Sequence, residues 1–274
     1  MSLLELRGLT VALGTGRPIV DHLDLTVERG EVVGLVGKSG CGKSTTAGCI
    51  LGTWPSSATV SGRVAVDGDD VLAMSATDLR TLRTSKVAMI YQEPRSSFNP
   101  VRPVGDFLTE QLVTNLGWSR PRADARIVEL VAAVGLTDPE RRLAEYPHEF
   151  SGGMLQRLVI AAALATDPDL LLADEATSAL DVTTQAEVLG ILRRLQRERA
   201  LGILLITHDL PLAAAFCDRV AVMHEGTKVE EQPAGNLFAH PQHPVTKELL
   251  AAAPELVPGL DRDPETPLTR GAAP

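Results

Sequence analysis

At 274 residues with 44% hydrophobic content, the chain can bury a substantial core as one large or two ordinary domains. Aromatics make up only 3%, so that core rests on Leu, Val, Ile and Ala; the net charge of −9 argues against a general nucleic-acid binder, which carries a basic face. Three cysteines without a C-x-x-C pair offer neither a disulfide framework nor a zinc site, and the longest apolar run, 158–165, falls far short of the ~20 residues of a membrane span.

Glu5 and Arg7 place charge where a signal peptide needs an apolar core, so a cytosolic location is expected, with membrane association only through a partner. Broken alternation over 3–13 and 19–27, split by Gly14-Thr15-Gly16-Arg17-Pro18, predicts two antiparallel strands joined by a turn. The apolar run 32–36 predicts a buried strand and 45–51 a helix. Between them, Gly37, Lys38, Ser39, Gly40, Cys41, Gly42, Lys43 and Ser44 fit the phosphate-loop pattern G-x-x-x-x-G-K-[ST] in the strand, loop and helix context it requires. Gly37, Gly40 and Gly42 let consecutive N–H groups turn inward as an anion cradle, and the helix opened by Thr45 points its positive end at the same spot. Lys43 can reach the β- and γ-phosphates and the Ser44 hydroxyl can ligate Mg²⁺, which predicts nucleoside triphosphate binding.

Further strands are predicted at 60–67 and 86–92, with a short helix at 75–82 capped by Ser75. From 93 to about 165 prolines punctuate the chain and helical spacing appears at 104–116, 123–134 and 154–164, which predicts a helical insert between strands of one sheet. A strand at 169–174, a helix at 183–198, a strand at 202–207, a helix at 210–216 and strands at 219–224 and 227–231 complete the pattern. Strands alternating with helices imply an α/β fold with parallel pairing and a ligand at the carboxyl ends of the strands.

Those strand ends carry the chemistry. The strand 170–174 closes on Asp174 and Glu175, a pair too costly to bury without a metal or a proton-transfer role. Asp174 is the candidate outer ligand to Mg²⁺; Glu175 either polarises an attacking water or serves as an acidic N-cap of the next helix. His208 follows the strand 202–207 as a structural or a catalytic imidazole, and Gln92 ends its strand with an amide able to reach Mg²⁺ or water. Ser151 can cap a helix behind Gly152 and Gly153, whose open N–H groups make a second anion site. A symmetric or pseudo-symmetric dimer, each nucleotide clamped between the loop of one subunit and the capped helix of the other, uses both.

In this order the motifs resemble the ATP-binding cassette family of transport ATPases over roughly residues 3–240. The resemblance implies a P-loop NTPase with a RecA-like core, an antiparallel β-subdomain and an inserted helical subdomain at about 93–165. It implies that 37–44 is the Walker A loop, Gln92 the Q-loop glutamine and Ser151-Gly152-Gly153-Met154-Leu155-Gln156 the signature meeting the partner's nucleotide. Asp174 and Glu175 are then Walker B and its catalytic glutamate, Ser178-Ala179-Leu180-Asp181 the D-loop, and His208 the switch histidine holding the γ-phosphate. It further implies ATP and Mg²⁺ as ligands, a second cassette (paralogue or self) and membrane permease subunits as partners, an indirect solute-binding protein, and a peripheral place on the cytoplasmic face of the membrane.

Residues 91–100, Phe150-Ser151-Gly152-Gly153-Met154 and His243-Pro244-Val245-Thr246-Lys247-Glu248-Leu249-Leu250 resemble the ATPases of dipeptide, oligopeptide and nickel importers. Two departures stand out. Leu13 falls where the family stacks an aromatic on adenine, replacing a stack worth ~0.5–1.5 kcal/mol, and Cys41 sits beside Lys43 at a helix end, where a thiol can become redox-sensitive. The competing readings are a soluble cassette ATPase acting on nucleic acid or ribosomes, and a P-loop kinase, which leaves Ser151-Gly152-Gly153 and His208 without a task. Residues 241–274 form a C-terminal extension expected to be largely disordered from about 258, and His240-Pro241-Gln242-His243 reads as a solvated turn in preference to a metal site.

Overall fold

The computed structural model describes residues 2–14, 16–178 and 180–252. The elements run β1 (Leu4–Leu13), β2 (Val20–Val27), β3 (Val32–Val36), α1 (Lys43–Ile50), β4 (Ala58–Val66), β5 (Asp69–Asp70), α2 (Ala76–Thr81) and β6 (Val87–Ile90). Then follow α3 (Val104–Leu116), α4 (Arg120–Ala133), α5 (Pro139–Leu143), α6 (Gly152–Ala163), β7 (Leu170–Asp174), α7 (Val182–Arg199) and β8 (Gly202–Thr207). The last elements are α8 (Leu210–Phe216), β9 (Arg219–His224), β10 (Thr227–Pro233), α9 (Ala234–Ala239) and α10 (Pro244–Ala251).

Two sheets organise these elements. The larger has the order β10-β9-β3-β8-β7-β6, with β9, β3, β8, β7 and β6 parallel and β10 antiparallel at the edge. Its central strands are apolar on both faces, so each needs cover on both sides. In β7, Leu171 and Ala173 face one core, built with α3, α4, α6, α7 and α8, while Leu170 and Leu172 face a second core shared with α1 and the smaller sheet. The smaller, antiparallel sheet has the order β2-β1-β4-β5. Burying each such Leu contributes roughly 1.5–3 kcal/mol, so the two-sided register is strongly specified.

Most predicted elements are present, and Ser75 caps α2 in a reciprocal capping box with Asp78. Four elements are additional: β5, α5, α9 and α10. β5 and α5 are too short for periodicity to signal. Pro139 and Pro244 read as chain breakers in sequence, yet each sits in the first turn of a helix, where its missing N–H has no intrahelical partner to lose. The helix predicted from 123 starts at Arg120 for the same reason, with Pro121 in its first turn. A single π-helical turn, Leu82–Lys86, feeds into β6. The segment expected to be disordered from about 258 lies outside the described residues.

In the smaller sheet the register of β1 against β4 shifts between Arg7 and Thr10. Gly8 and Gly62 face each other there with φ of 55° and 96°, and a Cβ added to Gly62 would meet the Gly8 carbonyl oxygen at 2.4 Å. Both the backbone angle and the close approach require glycine. Gly62→Ala is therefore expected to lower stability by about 2 kcal/mol in urea unfolding; an unchanged midpoint would refute the bulge as a constraint.

Candidate functional site

Parallel register sets where the chemistry stands. Val36 pairs with Thr207, Asp174 with Ile206, and Ile90 with Ala173, so β3, β8, β7 and β6 end level at one edge of the sheet. The residues just past that edge are Gly37, His208, Glu175 and, two positions beyond β6, Gln92.

The loop 37–44 wraps under tight contacts. A Cβ on Gly37 would lie 2.4 Å from the Met223 carbonyl oxygen and 2.6 Å from Cys41 Sγ; one on Gly42, which has φ 106°, would lie 2.6 Å from the Ile19 carbonyl oxygen. Those two glycines let β9 and the segment before β2 press onto the loop, a packing role beside the phosphate-cradling one. Lys43 is only 5% exposed, and its Nζ donates to the carbonyls of Gly37 at 2.7 Å and Lys38 at 3.1 Å. The ammonium is thus held in the loop's mouth by neutral acceptors that an incoming phosphate can replace with a charged one. Ser39, Gly40 and Ser44 are exposed, and Thr45 partly so. Cys41 is buried against this loop, with Sγ 4.0 Å from Lys43 Nζ.

Asp174 ends β7 facing α1. Burial pushes its carboxyl above the usual range; the Ser44 hydroxyl bond and Lys43 counter this, while Glu175 adds to it. Its Oδ1 is buried without a hydrogen-bond partner. An orphaned carboxylate oxygen beside a serine hydroxyl is a hard oxygen donor set that suits Mg²⁺.

Glu175 has a left-handed backbone, φ 48°, unusual outside glycine. The turn is locked on both sides: Glu175 N donates to the Ile206 carbonyl at 2.8 Å, and the Glu175 carbonyl accepts from Ser178 N at 3.1 Å and Ser178 Oγ at 3.0 Å. The carboxylate, mostly buried, accepts from His208 Nδ1 at 3.1 Å. An ionised carboxylate only accepts, so the proton is assigned to Nδ1. The N-cap alternative for Glu175 falls away because Asp181 caps α7, accepting from Thr184 N at 3.0 Å and Thr184 Oγ1 at 2.7 Å.

Two sets of predicted residues stand apart from this cluster. Gln92 is exposed on the sheet's outermost strand end and forms no hydrogen bond to Ser44, Asp174 or Glu175. Ser151 caps α6 through Met154 N at 3.3 Å, bonding within its own helix. A Cβ on Gly153 would lie 2.3 Å from Thr184 Cγ2, so that glycine lets α6 approach the start of α7, a tertiary requirement with no signal in sequence. Leu13, 43% exposed, ends β1 opposite Ala58.

A family model described as "ABC transporter" matches residues 20–178, more than half of the chain. The chain belongs to the ABC transporter family. Among this family, the dipeptide transport ATP-binding protein DppD of Bacillus subtilis is 43% identical over 230 residues, 83% of this chain and 69% of that protein. The oligopeptide transport ATP-binding protein OppD of Salmonella typhimurium is 41% identical over 257 residues, 93% and 77% of the two chains. Among solved structures, the ATP-binding cassette MJ0796, a dimer in a post-hydrolysis state bound to ADP and Pi, superposes with a TM-score of 0.73 at 26% identity over 84% of this chain and 98% of that one.

The raised Asp174 carboxyl has a consequence for pH. Its ionised form is disfavoured in the folded state, so the penalty is absent below the ordinary carboxylate value of ~3.9 and complete once pH exceeds the raised value. Asp174→Asn is therefore expected to raise the melting temperature at pH 7 without nucleotide, the gain fading as pH falls through that window, and to abolish stabilisation by magnesium nucleotide. A variant less stable than the parent at pH 7 would refute the assignment.

Proposed function

We propose that this chain is the ATP-binding and ATP-hydrolysing subunit of an ABC system that imports peptides or a related small solute. The observation that carries the reading is the convergence at one sheet edge of a phosphate loop, a buried acid beside Ser44, and a backbone-locked Glu175 joined to His208. The family's peptide-transport relatives support the cargo class.

In this reading the amides of 37–44 and the N-terminus of α1 receive the phosphates, and Lys43 exchanges its two carbonyl acceptors for them. Ser44 and Asp174, with Gln92 brought in from its strand end, would hold Mg²⁺, which when bound supplies neutralisation of the developing phosphate charge. Glu175 orients the attacking water and accepts its proton as the oxygen attacks the γ-phosphorus in line and the bond to the β-phosphate oxygen breaks. His208 holds Glu175 through Nδ1 at 3.1 Å and offers its other ring nitrogen, Nε2, to the γ-phosphate.

Ser151, Gly152 and Gly153 stand clear of the loop and would close on the nucleotide of a second cassette, as the dimeric relative supports. The cassette is proposed to reach about residue 240, with its helical subdomain at about 93–165. On that subdomain a groove lined by Val101, 77% exposed, with Arg141, Tyr146 and His148, suits a cytoplasmic helix of a permease subunit. No helix among the described residues is long and apolar enough to cross a membrane, so the proposed peripheral position depends on such subunits.

Glu175→Gln tests the assignment. Phosphate release should fall by a factor of about 10² or more, while the variant, alone or with a paralogous cassette, gains a nucleotide-dependent dimer on size-exclusion chromatography. Retained phosphate release would move the proton acceptor elsewhere.

A further inference from the structure

The phosphate loop carries one cation besides Lys43. Lys38, the second residue of the loop, is half exposed, and its Nζ donates to Glu248 Oε1 of α10 at 2.7 Å across a sequence separation of 210 residues. The Lys38 carbonyl meanwhile accepts from Lys43 Nζ at 3.1 Å and from Cys41 N at 3.3 Å. One residue thus shapes the cradle with its backbone and reaches α10 with its side chain.

Glu248 does not depend on Lys38 for its place. The Glu230 carboxylate accepts from Gln242 N at 2.8 Å and His243 N at 2.9 Å, fixing the turn into α10. His243 Nδ1 then accepts from Val245 N at 3.3 Å and caps the helix. Thr246 is fully buried, and Leu249 and Leu250 pack against the larger core. A pre-positioned carboxylate therefore stands at the rim of an anion-binding loop. Lys38 pulls the Glu248 carboxyl below its ordinary range, with His224 a minor contributor, so the side chain is ionised at neutral pH.

We propose that Glu248 is a positioning residue for nucleotide: it engages the Lys38 ammonium in competition with the incoming triphosphate and so weakens ATP binding. A bound polyanion and a carboxylate compete for the same cation, and the loop's net positive potential is lower while Glu248 holds Lys38. Both groups are solvent-accessible, so salt screens the effect and its size is that of an exposed ion pair. The proposal rests on reading 37–44 as the nucleotide loop.

The test is a titration of the full-length chain with a fluorescent ATP analogue and Mg²⁺, comparing the parent with Glu248→Gln, Lys38→Gln and the double variant. Glu248→Gln is expected to bind about threefold more tightly at low ionic strength, with the gain shrinking as salt rises and disappearing in the Lys38→Gln background. A purely structural role for α10 would instead give weaker binding or no salt dependence. Equal or weaker affinity of Glu248→Gln at low salt, or an undiminished gain without Lys38, overturns the proposal. Absence of analogue binding by every variant and the parent overturns the nucleotide reading and the proposal with it.

Discussion

The constraint on which the molecule depends is the parallel, in-register packing of β9, β3, β8, β7 and β6. The inner strands pair in parallel register with neighbours on both sides, and their apolar side chains divide between two cores, so a one-residue slip would send each set of side chains into the wrong core. Because β3, β8, β7 and β6 end level, residues scattered from 37 to 208 arrive at one edge without being close in sequence. Reactive groups are placed there by rigid strands, and only short turns separate them from that support.

At that edge the protein accepts local costs that a merely stable fold would avoid. Lys43 is nearly buried with carbonyl acceptors, Asp174 keeps one buried oxygen unpartnered, and Glu175 holds a left-handed backbone. Each is tolerated because the surrounding lattice over-determines it: the loop is pinned by Met223 and Ile19, and the Glu175 turn by Ile206 and Ser178. Strain and unpaired polarity concentrated at one edge of the sheet are what a preorganised site for a charged ligand requires.

The same logic separates the site's parts. Asp174 meets the loop through Ser44 and Glu175 meets His208, both pairs at the level end of the sheet, whereas Gln92 forms no hydrogen bond to Ser44, Asp174 or Glu175 and Ser151 bonds within α6. Lys38 and Glu248 add a link from the loop to α10, which also packs on α8. The loop is therefore contacted both by the segment before β2, through Ile19, and by α10, through Glu248.

Much was legible in the linear order of residues. Continuous apolar runs announced buried parallel strands, while glycine spacing singled out the loop after β3 and two acids after an apolar run singled out the end of β7 as candidate site positions, because each is a local pattern with a local physical cause. Short pieces such as β5, α5 and α9 escaped since they carry no period, and α10 because Pro244 at its start reads as a break. Sequence alone determined which residue types could bind phosphate and activate water. Tertiary structure alone decided that Asp181, not Glu175, caps α7, that Gly153 lets α6 approach α7, and that Lys38 meets Glu248, because each depends on the distance between segments that only the packed sheet and its helices define.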